Sequence, residues 1–273
     1  MREFKLLSGV FLLVITLTGC LRVNTTINVN PDGSGTIEET VFMKGEVLDM
    51  IRQFASSFDE SGEAEEFSFY KEEEQKNKAF EYGEGVVFLN GEEIFETGWE
   101  GYKVTYSFSD INKLKLDPSP DNKVNLGDEI PEETEADRQF ITFNFKKGNP
   151  SELNITFPIP DLDDTKTTES PETVEADTTD EGMTEMFKRM FDGMRVSVNV
   201  NVNGNITETN ASFLEGTNLT LMDIDFTNLL VNEDIVKKLE SRKPESIEEF
   251  REITKDIEGI KIEFNDEIKV KFR

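Results

Sequence analysis

Apolar residues recur along this chain mostly at every second position, in short runs separated by turn-forming residues. In "LRVNTTINVNPDGSGTIEETVFM", Val23, Thr25, Ile27 and Val29 alternate with polar residues, "NPDGSG" supplies turn chemistry, and Ile37 and Val41 resume an apolar face. That pattern predicts a β-hairpin. The period then changes. In "GEVLDMIRQFASSF", Val47, Ile51, Phe54 and Phe58 fall at spacings of four, three and four, with Leu48 and Ala55 beside them, which predicts a helix. "GYKVTYSF" alternates again, with Tyr102, Val104, Tyr106 and Phe108 on one side. "QFITFNF" and "ELNITFP" read as two more strands, joined antiparallel through "KKGNPS".

The second half repeats these themes. "GMTEMFKRMFDGM" places Met183, Met186, Phe187, Met190 and Met194 along one helical face. "RVSVNVNVNGNITETN" echoes the first hairpin, Arg22 aligning with Arg195, Val29-Asn30 with Val202-Asn203, and Ile37 with Ile206. The echo reads either as an internal duplication or as the chance likeness of alternating strands. Helices are expected around 233–241 and 246–256, then "IKIEF" and "EIKVKF" as a closing hairpin. The expected class is α+β, an antiparallel sheet built from hairpins with helices packed on one face.

Residues 161–182, rich in acid and threonine, lack apolar periodicity and read as a disordered linker or loop, with 117–138 a milder case. They separate an N-terminal α+β region (20–160) from a C-terminal one (183–273), which either share one sheet or stand as two domains.

The first twenty residues follow another logic. Arg2 and Lys5 precede the apolar stretch Leu6 to Leu17, about the length of a signal h-region and too short for a roughly 20-residue membrane span. The stretch ends "LTGC", and Cys20 is the single cysteine of the chain. This resembles the lipobox of bacterial lipoproteins. The resemblance implies removal of residues 1–19 by cleavage between Gly19 and Cys20, and acylation of Cys20. One myristoyl chain holds a protein only marginally at about 0.8 kcal/mol per buried methylene, whereas two or three chains hold it firmly. Leu21 stands where an aspartate often retains lipoproteins at the inner membrane, which favours the outer membrane. The first strand starts almost at once, so the body is expected close to the bilayer.

Charge and composition narrow the chemistry. The chain carries 29 bases and 57 acids; without residues 1–19, which hold two bases and one acid, the net charge is near −29. Such a surface repels nucleic acid and anionic headgroups and suits a basic partner or simple solubility. There is no histidine, so histidine triads and imidazole metal sites are absent, and the lone thiol makes no intramolecular disulfide. No cofactor is expected.

Taken together, "CLRVNTTINVNPDGSGTIEE", "GWEGYKVTYSFSDINKL" and "NGNITETNASFLEG" resemble the LppM-like bacterial lipoproteins. The resemblance implies an exported α+β domain of the cell envelope with an antiparallel sheet, suggested to contact lipids and not known as an enzyme.

Among the candidate motifs, "DLDDTKTTESPE" has the acids of a calcium loop, but Lys166 stands where an EF-hand needs glycine. Asp223 and Asp225 share a strand face, where paired carboxylates can do acid–base work or can simply be solvated. Trp99, between Gly98 and Gly101, reads as a turn anchor or a ligand platform. The methionine stripe either packs on its own sheet or takes up a lipid or partner helix, since methionine adapts to varied apolar shapes. The expectation is a non-enzymatic, acylated envelope lipoprotein binding a lipid or an envelope protein. An acidic interaction module and a carboxylate-only hydrolase of envelope polymers are the alternatives.

Overall fold

A computed structural model describes residues 21–58, 68–118, 140–157, 192–231, 252–255, 257–263 and 265–273. Cys20, the 161–182 stretch, most of 117–138, Met183 to Met190 and nearly all of the two C-terminal helices expected from the sequence lie outside these residues.

The described chain is mostly strand. β1 (Leu21–Val29) and β2 (Gly35–Lys44) form the expected hairpin, from Leu21 opposite Met43 to Val29 opposite Gly35. Its turn is held by Asp32, whose Oδ1 accepts from the Ser34 amide (3.0 Å) and hydroxyl (2.7 Å). Gly33 there takes a φ of +89°, open to glycine at no steric cost. Helix α1 (Gly45–Phe58) follows directly, burying Val47 and Leu48 as its period predicts. A second helix, α2 (Glu72–Lys78), runs into a 3₁₀ turn at Ala79–Tyr82. A second hairpin, β3 (Val87–Glu96) and β4 (Trp99–Phe108), then adds to β2 through β4.

The remaining strands are β5 (Lys115–Leu116), β6 (Ile141–Lys146), β7 (Ser151–Thr156), β8 (Arg195–Val202), β9 (Ile206–Thr209), β10 (Leu214–Glu215), β11 (Asn218–Asp225), β12 (Ile260–Ile262) and β13 (Glu267–Phe272). Helix α3 (Phe226–Val231) follows β11. They make two sheets. The first runs β10-β11-β8-β1-β2-β4-β3, with β12 also on β11; the second runs β5-β6-β7-β13-β9. β6 and β7 form the antiparallel pair read from the sequence. Inward residues of both sheets, among them Ile27, Ile37 and Val104 on one and Ile141, Leu153 and Val270 on the other, are buried in one apolar core. The inner face of the first sheet is thus covered by a second sheet together with the short helices. At about 1.5–3 kcal/mol per fully buried aliphatic side chain, this shared layer is the main source of stability.

Three pairings differ from those read along the chain. β8 lies in the first sheet and β9 in the second, so "RVSVNVNVNGNITETN" is a crossover between sheets and not a hairpin. "IKIEF" pairs with β11, whereas "EIKVKF" lies between β7 and β9, so no closing hairpin forms. Lastly, β1 and β8 are parallel neighbours inside an otherwise antiparallel sheet. Alternation marks the two faces of a strand but says nothing about which edge meets it.

The likeness between "RVNTTINVN" and "RVSVNVNVN" turns out to be a pairing register: Arg22 lies opposite Arg195, Ile27 opposite Val200 and Val29 opposite Val202. Parallel strands sharing one buried face need the same phase of apolar residues. On the other face the polar residues bond in rungs. Asn201 Nδ2 donates to Asn28 Oδ1 (3.1 Å), Asn203 Nδ2 to Asn30 Oδ1 (2.8 Å) and Ser197 Oγ to Asn24 Oδ1 (2.7 Å).

Gly35 shows how tightly β2 is set. A Cβ there would collide with the backbone carbonyl of Asn28 and lie 2.6 Å from the Phe108 ring. Gly35→Ala should therefore destabilise the fold by about 1–3 kcal/mol, the usual cost of overpacking. A denaturation midpoint equal to that of the parent would show that the hairpin is looser than described.

Candidate functional site

One end of the first sheet gathers residues that are far apart in the chain. β1 begins there at Leu21, which is 8% exposed and covalently bonded to Cys20. β8 begins beside it at Arg195, β2 ends at Lys44, and β4 begins at Trp99, opposite Lys44. Trp99, the sole tryptophan of the chain, lies half-buried in the middle. The Arg22 guanidinium carbon stacks 3.8 Å from its ring centroid and Lys44 Nζ lies 5.8 Å away, both within cation–π reach.

The same cations hold the segment that precedes β8. Arg22 Nε donates to the Gly193 carbonyl (3.2 Å), and Lys44 Nζ donates to the Asp192 carbonyl (2.7 Å) and lies 3.1 Å from its carboxylate. Gly193, at a φ of +84°, passes close over the indole; a Cβ there would stand 3.1 Å from the ring. The Gly193 amide in turn donates to Thr227 Oγ1 (2.7 Å). Beyond it, Arg195 makes a two-pronged pair with Asp223, at 2.9 Å on each prong. Helix α1 lies across this end: the Gly45 amide donates to the Gly98 carbonyl (3.0 Å), and Arg52 Nη2 meets Glu100 Oε2 at 2.6 Å.

The candidates named from sequence are placed as follows. Trp99 opens β4 directly after its glycine neighbour and packs against Arg22 and Gly193, which joins β4 to the start of β8. Met194, the last residue of the methionine stripe, is buried at the start of β8 as part of the core, and its carbonyl accepts from the Phe226 amide (3.0 Å). Met183, Met186, Phe187, Met190, Gly19 and Cys20 lie outside the described residues. Asp223 and Asp225 are both engaged structurally, Asp223 with Arg195 and Asp225 as the cap of α3. Asp225 Oδ1 accepts from the Thr227 amide (3.0 Å), as a helix cap does. Asp110 caps the short turn after β4 in the same way, accepting from the Asn112 amide (3.0 Å).

No family model and no curated protein matches the chain. Among solved structures it is similar to the folded domain of Mycobacterium tuberculosis LppM, determined by NMR. The two are 14% identical, over 75% of this chain and 82% of that one, with a TM-score of 0.31.

A second cluster escaped the sequence reading. Glu39 occupies an inward position of β2 between Ile37 and Val41 and is wholly buried. Tyr82 donates its hydroxyl to Glu39 Oε2 (2.7 Å), and Lys78 Nζ lies 3.1 Å from Oε1. Nearby, the Tyr106 hydroxyl donates to Gln75 Oε1 (3.0 Å), and the Tyr82 and Tyr106 rings stand 5.0 Å apart. Tyr70 and Phe69 pack on Tyr102, at 5.9 and 5.4 Å. All four tyrosines of the chain are gathered here. Burial pushes the Tyr82, Tyr102 and Tyr106 phenols well above their ordinary range, and the Glu39 charge adds to the shift. The neutral Tyr82 phenol donates to the buried Glu39 carboxylate. It ties α2 and the following turn to the sheet. The available signal was Glu39 in phase with Ile37 and Val41: an acid on an apolar face needs a buried partner.

Proposed function

We propose that this chain is a non-enzymatic, lipid-anchored bacterial envelope lipoprotein that binds a lipid or an envelope protein partner, in the manner of the LppM-like lipoproteins its sequence pieces resemble. The observation that carries the reading is the start of β1. The folded sheet begins at Leu21, one peptide bond after the "LTGC" cysteine, so acyl chains on Cys20 would hold the domain itself against a membrane. Leu21 in place of aspartate favours the outer membrane. Among the described residues no helix is long and apolar enough to cross a membrane.

Among the described residues the wholly buried carboxylates, Glu39 and Glu263, are both engaged by neighbouring groups. Glu39 is engaged by Lys78 and Tyr82. Glu263 accepts from the Ser212 amide (2.9 Å) and hydroxyl (2.6 Å) and from the Asn265 amide (3.0 Å). Both hold loops or turns in place.

Mass spectrometry of the membrane fraction should show a chain starting at Cys20 with added acyl mass. Cys20→Ser should leave an uncleaved precursor or a soluble product. An unmodified Cys20 in membrane-bound protein would refute the anchor.

A further inference from the structure

We propose that the end of the first sheet where β1 begins rests against the headgroup layer of the membrane that carries Cys20, with Trp99, Phe95 and Met50 at the lipid interface. This inference rests on the lipid-anchor reading and goes further, because it assigns an orientation and a contact surface.

Three observations point the same way. The first is tether length. Consecutive Cα atoms are about 3.8 Å apart, so an acylated Cys20 lies within one such step of Leu21, already buried in the sheet. A domain so attached cannot turn its far end to the bilayer. The second is the composition of the end. Phe95, 69% exposed, lies on β3 opposite Glu100 and two residues before the turn that leads to Trp99; Met50, 47% exposed, lies on α1, which crosses this end. Trp99 is half-buried between them and the start of β1. Tryptophan and other amphipathic aromatics favour the membrane–water interface, where one edge is apolar and the rest wet.

The third is charge. The chain as a whole is strongly acidic, and an acidic face would be repelled by anionic headgroups. Here four cations collect: Arg22 stacked on Trp99, Lys44 with Asp192, Arg52 with Asp49 and Glu100, and Arg195 with Asp223. Their partners Asp49, Glu100, Asp192 and Asp223, with Glu96 opposite Trp99 and Asp225 opposite Arg195, leave this end without the cationic excess that anionic headgroups would need. Along β1 and β8 the outer face is lined by asparagine rungs, and the exposed apolar residues elsewhere on the sheet, Val87, Leu89 and Leu214, lie farther along it from Leu21. A zwitterionic headgroup layer is the chemistry that fits.

The sole tryptophan makes the test direct. The acylated protein is reconstituted in phosphatidylcholine vesicles with a nitroxide quencher on the headgroup, beside a variant carrying a Gly/Ser linker of about 20 residues between Cys20 and Leu21, a mean span of about 25 Å. Vesicle flotation reads the anchor; Trp99 emission reads the orientation. The expected result is flotation of both proteins, with quenching several-fold stronger in the parent. In a Trp99→Phe background, Leu214→Trp places the probe on β10, opposite the sixth residue beyond Leu21 along the sheet and so about 20 Å away. It should stay unquenched. Quenching in both parent and linker proteins, with the Leu214→Trp probe still dark to the quencher, would also support the surface. Flotation with no quenching of Trp99, or equal quenching of both probes, would overturn the orientation and leave the anchor standing. No flotation would overturn both.

Discussion

Lys78→Met should be among the most damaging single changes in this protein, at about 3–5 kcal/mol, the usual consequence of removing one partner of a buried ion pair. Glu39 is wholly buried and Lys78 nearly so, and their charges meet at 3.1 Å. Without the cation the carboxylate stays where water cannot reach it, with Tyr82 still donating to it. It can escape by taking up a proton. At pH 7 that costs about 4 kcal/mol for an ordinary glutamate and at pH 5 only about 1, so the gap between variant and parent should narrow as pH falls. Adding Glu39→Gln should recover most of the loss, because no buried charge then lacks a partner. Urea denaturation of the three proteins at both pH values checks this. A pH-independent loss, or no rescue by the second substitution, would mean that Lys78 acts through packing of its stem.

Alkali should unfold the protein steeply. Tyr82, Tyr102 and Tyr106 are all but inaccessible to water, and burial holds their phenols neutral well above the ordinary range. The folded-state pKa exceeds the unfolded one, so the stability these groups contribute is complete below about pH 10 and is lost as pH rises beyond it. Each such tyrosine removes about 1.4 kcal/mol per pH unit in that window, so the three together remove about 4. Phenolate absorbance should stay almost flat through pH 10 while the chain is folded. It should then rise in one cooperative step coincident with loss of the β-sheet circular dichroism. A gradual phenolate titration in the folded protein would contradict the described burial.

How far the sequence could be read depended on whether a feature is local. Val23, Ile27 and Val29 announced their face through spacing alone, and so did Val47 with Leu48 on α1, because burial periodicity follows from backbone geometry within one element. Trp99 was singled out by its glycine neighbours, but nothing near it in sequence pointed to Arg22 or Gly193. Glu39 was passed over since the eye follows apolar residues, although its phase placed it inward. The two misjudged hairpins share one cause. "NGNITE" has turn chemistry, and so does the short gap before "EIKVKF", but in each case the next strand found its partner in the other sheet.

By itself the sequence determined the buried faces of strands such as β1 and β4, where the first turn falls, and that a lone cysteine follows an apolar stretch one residue before β1 begins. These are properties of a few consecutive residues, dictated by side-chain alternation, turn chemistry and covalent order. Tertiary structure alone decided that β1 and β8 lie parallel in the register their likeness had hinted at, that two sheets share one core, and that Trp99, Arg22, Lys44 and Gly193 meet at the end nearest Cys20. Long-range pairing is chosen by the total apolar surface that can be buried at once and by the polar groups left to be satisfied. That sum runs over the whole chain, and no short stretch of it contains the answer.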